Sequence, residues 1–337
     1  MIERKQVEEF LKDVPNALVL DVRSPSEYNH AHIPGAITFP LFSDEERKVV
    51  GTAYKQQSRE TAIKIGLDYF GPKMRKMVEE VEKLLEGQPK KVLVHCWRGG
   101  MRSGGVAWLL DLYGFEVVTL DGGYKAFRNW VLKQFTQDYP LKMVGGYTGS
   151  GKTEILKMLQ SRAEQMIDIE GLANHKGSAL GGINMPPQPS QEMFENLLAF
   201  ELSKLDKTKP IWIEDESQRI GNRNIPNDFI EKMRQAKLYF LDVPFQKRLT
   251  YLVDNYGKLP AEKIVNAILR IKKRLGGLNT KNAINYLVEG EIDKSFAILL
   301  SYYDKAYDKA LDKHEGQVVK IVAEELDMQK NTNLLLK

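Results

Sequence analysis

The stretch Gly146-Tyr147-Thr148-Gly149-Ser150-Gly151-Lys152-Thr153 leaves this chain few ways to fold. It follows the apolar run 141–144 and opens the helical pattern 153–161. A glycine-rich turn between a strand and a helix aims backbone N–H groups at an anion beside the helix N-terminus. Gly146, Thr148, Gly149, Ser150 and Gly151 are therefore expected to cradle phosphate oxygens. Lys152 adds a point charge, and the Thr153 hydroxyl suits Mg²⁺. A second apolar strand, Ile211-Trp212-Ile213, runs into Glu214-Asp215-Glu216. Glu214 or Asp215 is placed to orient Mg²⁺ through water or to meet a basic substrate group; a solvated acidic turn fits the same residues. An ATP-dependent kinase is the default reading of such a loop. The diphosphate of any other molecule fits the same cradle.

Before this motif, strand and helix signals alternate. Residues 17–22, 91–95 and 115–120 read as buried strands, and residues 74–85 and 103–113 repeat apolar residues at helical spacing. Such alternation predicts a largely parallel sheet. The motif unit adds strands at 211–213 and 238–241, and from Phe245 onward the pattern is mostly helical. A length of 337 residues suits about two domains, with the boundary expected between Phe127 and Pro140. The apolar runs fall short of a membrane span, and MIERKQVEEF has no apolar signal region. A single cysteine excludes an internal disulfide and a cysteine-built zinc site, so a cytoplasmic protein without a resident metal is expected.

That cysteine is well placed. Cys96 ends the strand 91–95 and precedes Trp97-Arg98-Gly99-Gly100-Met101-Arg102-Ser103. A glycine-rich loop opening a helix turns positive partial charge toward the sulfur, and Arg98 and Arg102 add full charges. Together they favour the thiolate, the reactive form. Two families share this arrangement. Rhodanese-type sulfurtransferases hold a persulfide in such a loop, and cysteine-dependent phosphatases hold phosphate in a His-Cys, five residues, Arg loop, a spacing that His95-Cys96 to Arg102 meets. The remainder of residues 1–135 resembles rhodanese. Leu20-Asp21-Val22-Arg23, Glu27-Tyr28 and His32-Ile33-Pro34-Gly35-Ala36 look like its N-terminal signature, and Leu120-Asp121-Gly122-Gly123-Tyr124 like its C-terminal one. The loop is one residue longer than in typical sulfur-transferring members, which leaves the transferred group open.

The pairing of Cys-Trp-Arg-Gly-Gly-Met-Arg-Ser with Gly-Gly-Tyr-Thr-Gly-Ser-Gly-Lys-Thr resembles the tRNA 2-selenouridine synthase family. The likeness extends through residues 168–178, 188–191 and 214–221, Arg274-Leu275-Gly276-Gly277 and Tyr302-Tyr303-Asp304. It implies an α/β architecture: a rhodanese-like parallel-sheet domain (1–135), a P-loop NTPase-like α/β domain (136–245), and a helical C-terminal region (246–337) packed on the second. It also implies a transferase with tRNA as partner and no tightly bound cofactor. Wobble 2-thiouridine is alkylated by geranyl diphosphate, and the geranylthio group is then replaced by selenium from selenophosphate; a protein that supplies selenophosphate is a further candidate partner. Cys96, with Arg98 and Arg102, is expected to receive selenium as a perselenide or to assist its attack. His175 is a candidate acid or a hydrogen-bonded loop residue. Trp97, Tyr147 and Trp212 are candidates for stacking on a base or an isoprenoid, or for packing.

Net charge is only +4, so location matters more than total. Residues 47–76 carry eight basic side chains against two acidic ones, and residues 263–281 carry six and none. Arg270, Lys272, Lys273 and Arg274 are the densest group and the expected contacts to tRNA phosphates. Alternatives of other classes remain at this level. A fused cysteine-dependent phosphatase would hydrolyse aryl phosphates through Cys96. A P-loop kinase would turn over ATP through Lys152 regardless of Cys96, and a carrier would bind without chemistry.

Overall fold

A computed structural model describes residues 2–87, 89–312 and 314–336. The chain divides into two compact units, residues 1–134 with 195–200, and residues 135–194 with 201–337. Among the described residues no helix is long and apolar enough to cross a membrane.

The first unit is built on five parallel strands: β1 (Glu3–Lys5), β2 (Leu18–Asp21), β3 (Ile37–Thr38), β4 (Lys91–His95) and β5 (Glu116–Leu120). Their order is β1-β5-β4-β2-β3. Strand β4 lies at the centre, and Val92, Leu93, Val94 and His95 are fully buried. A strand covered on both faces reads as a continuous apolar run, which is why KVLVH was legible. Helices α1 (Val7–Asp13), α2 (Pro25–His30), α3 (Asp44–Gln56), α4 (Arg59–Phe70), α5 (Met74–Leu84), α6 (Met101–Tyr113) and α7 (Gly123–Thr136) complete it. Val78 and Val81 of α5 and Val106 and Leu110 of α6 join Leu20 and Val94 in one core. Helix α7 runs through much of the region where a boundary was expected.

The second unit has its own parallel sheet, in the order β12-β11-β6-β8-β7. Its strands are β6 (Leu141–Gly146), β7 (Gln165–Ile167), β8 (Ile211–Glu214), β11 (Lys237–Asp242) and β12 (Val318–Val322). A short hairpin, β9 (Arg219–Ile220) and β10 (Arg223–Asn224), stands apart. Helices α8 (Lys152–Ser161), α9 (Ile169–Ala173), α10 (Gln191–Ser203, whose residues 195–200 count with the first unit) and α11 (Asn227–Gln235) precede α12 (Phe245–Tyr256), α13 (Ala261–Leu275), α14 (Gly277–Val288), α15 (Ile292–Leu311) and α16 (Met328–Leu335). Leu249, Ile264, Ile268, Leu287, Phe296 and Leu300 give α12 to α15 a core of their own.

The region 246–337 is mostly helical, as expected, and adds one strand that the sequence reading did not place. Its segment Val318-Val319-Lys320-Ile321-Val322 forms β12, the edge strand paired with β11. A β-branched run of this kind favours a pleated surface over a helix. Leu335 of α16 then packs into the sheet core with Ile155, Leu156 and Leu159 of α8.

Candidate active sites

Cys96 sits at the C-terminal end of β4, the central strand, in the turn that opens α6. Parallel α/β sheets place their ligand sites at such ends. The thiol is buried, and its Sγ lies 3.2 Å from the Ser103 hydroxyl. Burial works against the thiolate. The Ser103 hydroxyl, the Ser103 and Arg98 backbone N–H groups and the Arg102 charge outweigh it and hold the Cys96 pKa below the ordinary thiol range. The alkylation rate of Cys96 by iodoacetamide should therefore level off at lower pH than for a free thiol. Ser103→Ala should move that inflection upward; an unchanged pH profile would show that Ser103 does not support the thiolate.

The C-terminal signature explains how the loop keeps its shape. The Tyr124 N–H donates to the Cys96 carbonyl at 2.8 Å and the Lys125 N–H to the Trp97 carbonyl at 2.9 Å. Gly99 (φ 62°) and Gly123 (φ 60°) face one another so closely that a Cβ on either would strike backbone of the opposite turn. Only glycine meets both demands, positive φ and no side chain. The N-terminal signature is equally structural. Arg23 donates to the Asp21 carboxylate and to the Ala31 carbonyl (2.7 Å), with its guanidinium 3.8 Å from the Tyr124 ring centroid. His95, fully buried, is pushed down to about 4 by desolvation and is neutral at physiological pH.

The two loop arginines differ. Arg98 is exposed, whereas Arg102 donates to Glu27 at 2.7 Å. Glu27 also accepts the Ser24 N–H at the start of α2. Arg102 is thus a charge already partly balanced, fixed in place by a residue of the N-terminal signature. Trp97 is 39% exposed and open to stacking, with its ring 5.7 Å from that of Tyr124.

The phosphate loop follows β6, which lies between β8 and β11. Gly146 (φ 148°) and Gly149 (φ 83°) adopt conformations that side chains rarely share, and a Cβ on Gly146 would meet the Ser150 hydroxyl and the Leu241 carbonyl. The buried Lys152 ammonium donates to the Gly146 carbonyl at 3.1 Å and lies 3.6 Å from Glu214. The Thr153 hydroxyl lies 3.1 Å from Glu214 and 3.3 Å from Glu170. One carboxylate oxygen from each of Glu170, Glu214 and Glu216 lies within 4.8 Å of the others. Sequence reasoning offered Glu214 or Asp215 for this place, and Glu214 is the one beside Lys152 and Thr153. Glu216 joins it, because successive side chains along an extended segment alternate in direction. The Asp215 carboxylate lies instead against Gly145. Glu170, at the start of α9, lies in the stretch 168–178 that carries the family likeness but was not singled out; the chain path brings it in.

Three carboxylates beside one ammonium cannot all be ionised. Burial pushes Glu214 up to about 8, against the pull of Lys152. Burial also raises Glu170 and Glu216. Lys152 is raised as well, but by its neighbours' charges rather than by burial. Desolvation opposes its charge, but Tyr307, Glu214, Glu216 and Glu170 outweigh it and raise it above the ordinary lysine range. The cluster shares protons while Lys152 stays charged.

Among the other expected residues, the His175 Nδ1 has no hydrogen-bond partner among the described residues, and burial with the Arg270 charge lowers its pKa. Gln188 and Gln191 spend their amides on backbone. Gln188 reaches Ala173, Ile220 and Asn222, and Gln191 binds Asn224 twice. Trp212 is fully buried, its indole N–H donating to Glu164, so it packs and does not stack on a ligand. The Tyr147 hydroxyl donates to Asp308 at 2.7 Å. Arg270, Lys272, Lys273 and Arg274 are all exposed on α13, as is Lys263, and Lys281 is exposed on α14. The block 47–76 is weaker as a phosphate footprint, because Arg47, Lys73 and Arg75 face Glu27, Glu46 and Glu79.

These features define a class: a thiol-loop unit of rhodanese type joined to a phosphate-loop α/β unit. A family model for the tRNA 2-selenouridine synthase AAA domain matches residues 139–330, and one for the rhodanese-like domain matches residues 3–129. A tRNA 2-selenouridine synthase of Sulfurovum sp. (strain NBC37-1) is 34% identical, covering 90% of this chain and 91% of the relative. That of Nitrosomonas europaea is 36% identical over 73% of this chain and 64% of the relative. That of Hydrogenovibrio crunogenus is 32% identical over 91% and 92%. The chain belongs to the tRNA 2-selenouridine synthase family.

Proposed function

We propose that this chain converts wobble 2-thiouridine in tRNA to 2-selenouridine in two transfers. In the first, the thione sulfur attacks C1 of geranyl diphosphate, the C–O bond breaks and diphosphate leaves. Sulfur is a soft nucleophile, so what this step needs is stabilisation of the leaving group. Lys152 and the amides of the loop Gly146 to Gly151 supply it electrostatically. Thr153, Glu214 and Glu170 would hold a divalent cation, since their oxygen donors converge as hard cations require, and when bound it adds positive charge to the diphosphate. In the second transfer, the selenium of selenophosphate attacks C2 of the base, geranylthiolate departs and takes up a proton, and water then cleaves the P–Se bond to release phosphate. S-alkylation has by then made the sulfur a good leaving group. Cys96, in its thiolate-favouring loop with Arg98 and Arg102, assists selenium delivery.

The observation that carries this reading is the coexistence on one chain of a buried thiol in a glycine-rich loop, 3.2 Å from the Ser103 hydroxyl, and a phosphate loop whose buried lysine folds back on the Gly146 carbonyl. A kinase needs only the second and a phosphatase only the first. Nucleoside mass spectrometry on 2-thiouridine tRNA tests it. Geranyl diphosphate alone should add a geranyl mass, and selenophosphate should then exchange sulfur for selenium. ATP or aryl phosphate turnover without either shift would overturn it.

The exposed basic face of α13 serves tRNA backbone binding. Affinity should fall steeply with salt. Replacing Lys273 and Arg274 by alanine should lower the log–log salt slope by about 1 for each tRNA phosphate that is no longer neutralised. An unchanged slope in filter binding would place the RNA elsewhere.

A further inference from the structure

We propose that Arg248 and Asp304, far from the phosphate loop in sequence, are positioning residues that hold one of its peptide groups in the orientation that binds diphosphate. The inference rests on reading that loop as a diphosphate site.

Arg248, on α12, is only 3% exposed. Its Nε donates to the Val243 carbonyl at 2.9 Å, just beyond the end of β11. Its Nη1 donates to the Thr148 carbonyl at 3.1 Å, inside the phosphate loop. Both terminal nitrogens also donate to the two oxygens of Asp304 on α15, at 2.9 and 2.8 Å. The guanidinium lies 4.8 Å from the ring centroid of Tyr147, and the Tyr147 hydroxyl is tied to Asp308 one helical turn beyond Asp304. One buried side chain therefore joins a strand end, the loop and α15.

The consequence follows from peptide planarity. In a trans peptide the C=O of one residue and the N–H of the next point in opposite directions. With the Thr148 carbonyl drawn to Arg248, the Gly149 N–H must point away from it, to the side where a phosphate oxygen is cradled. Gly149, at φ 83°, has the freedom to flip this peptide, so an external contact is needed to hold it. A fork-shaped guanidinium reaches the loop carbonyl and both Asp304 oxygens together; a lysine ammonium does not. Asp304 neutralises the buried charge and sets its angle.

Inorganic pyrophosphate is the probe, titrated calorimetrically into the full-length protein. Arg248→Lys keeps the charge, and Asp304→Asn keeps the shape. Each should weaken pyrophosphate binding by about tenfold or more, and the double variant by little more than either single one. In the geranyl-transfer assay kcat should fall more than KM for tRNA rises. The rate of Cys96 alkylation, read in the other unit, should not change. A purely structural pair would lower the melting temperature and leave the affinity of the folded protein intact. If Arg248→Lys does not fold, Asp304→Asn carries the test. A folded variant that binds pyrophosphate like the parent overturns the positioning role. A parent protein that does not bind pyrophosphate overturns instead the diphosphate reading of the loop.

Discussion

Cys96→Ser is expected to stop selenium incorporation and leave geranylated tRNA accumulating. The substitution changes one atom in a buried site, and serine can keep the hydrogen bond to Ser103 that the sulfur makes at 3.2 Å. The loop shape, fixed by Tyr124 and Lys125 donating to the Cys96 and Trp97 carbonyls, does not depend on sulfur. What disappears is the anion: the groups that stabilise a thiolate cannot ionise a serine hydroxyl at neutral pH. A drop of about 10³-fold or more in the second transfer is expected, in line with removal of an activated nucleophile. The first transfer should be unaffected. Mass spectrometry of digested tRNA distinguishes the outcomes, because the S-geranyl nucleoside and the selenium product differ in mass. Normal yields of 2-selenouridine would mean that Cys96 only fills space.

Lys152→Ala should do the reverse, blocking geranyl transfer by about 10² to 10³-fold while leaving Cys96 chemistry intact. Lys152 provides the charge opposite a leaving diphosphate. It is also the cation that faces Glu214 at 3.6 Å, with Glu170 and Glu216 close by. Removing one partner of a buried charged group is destabilising by about 3–5 kcal/mol when nothing else responds. Here the carboxylates can respond by taking up protons, since burial already pushes Glu214 up to about 8. The sign follows. A carboxyl raised in the folded state opposes folding as pH climbs from the ordinary carboxylate range through about 8, so the variant should be most fragile in alkaline buffer. Adding Glu214→Gln should restore melting temperature without restoring geranyl transfer. If the double variant regains activity, the lysine acts through stability alone.

Much of the fold was readable because buried parallel strands are short apolar runs with turn residues at their ends. The segments 91–95 and 141–144 announced themselves, and each strand carries its loop at its C-terminal end. Helices α3 and α4 were missed, since they bury few residues and lack strong apolar periodicity. Strand β12 was missed for a different reason: five residues of an edge strand inside a helical region give little context, although their β-branching was visible.

The chain's own residues determined the chemistry. A lone cysteine among glycines and arginines, and a Gly-rich turn ending in Lys152 and Thr153, declare their groups through local backbone geometry, and local geometry is written in contiguous sequence. Tertiary structure decided who surrounds those groups. It brought in Glu170 and Glu216, set Glu27 against Arg102, carried Arg248 to the carbonyl of Thr148 across 100 residues, and set Asp304 against Arg248. These partners meet only because sheet order and helix packing join distant segments, and no spacing rule along a chain records which ones meet.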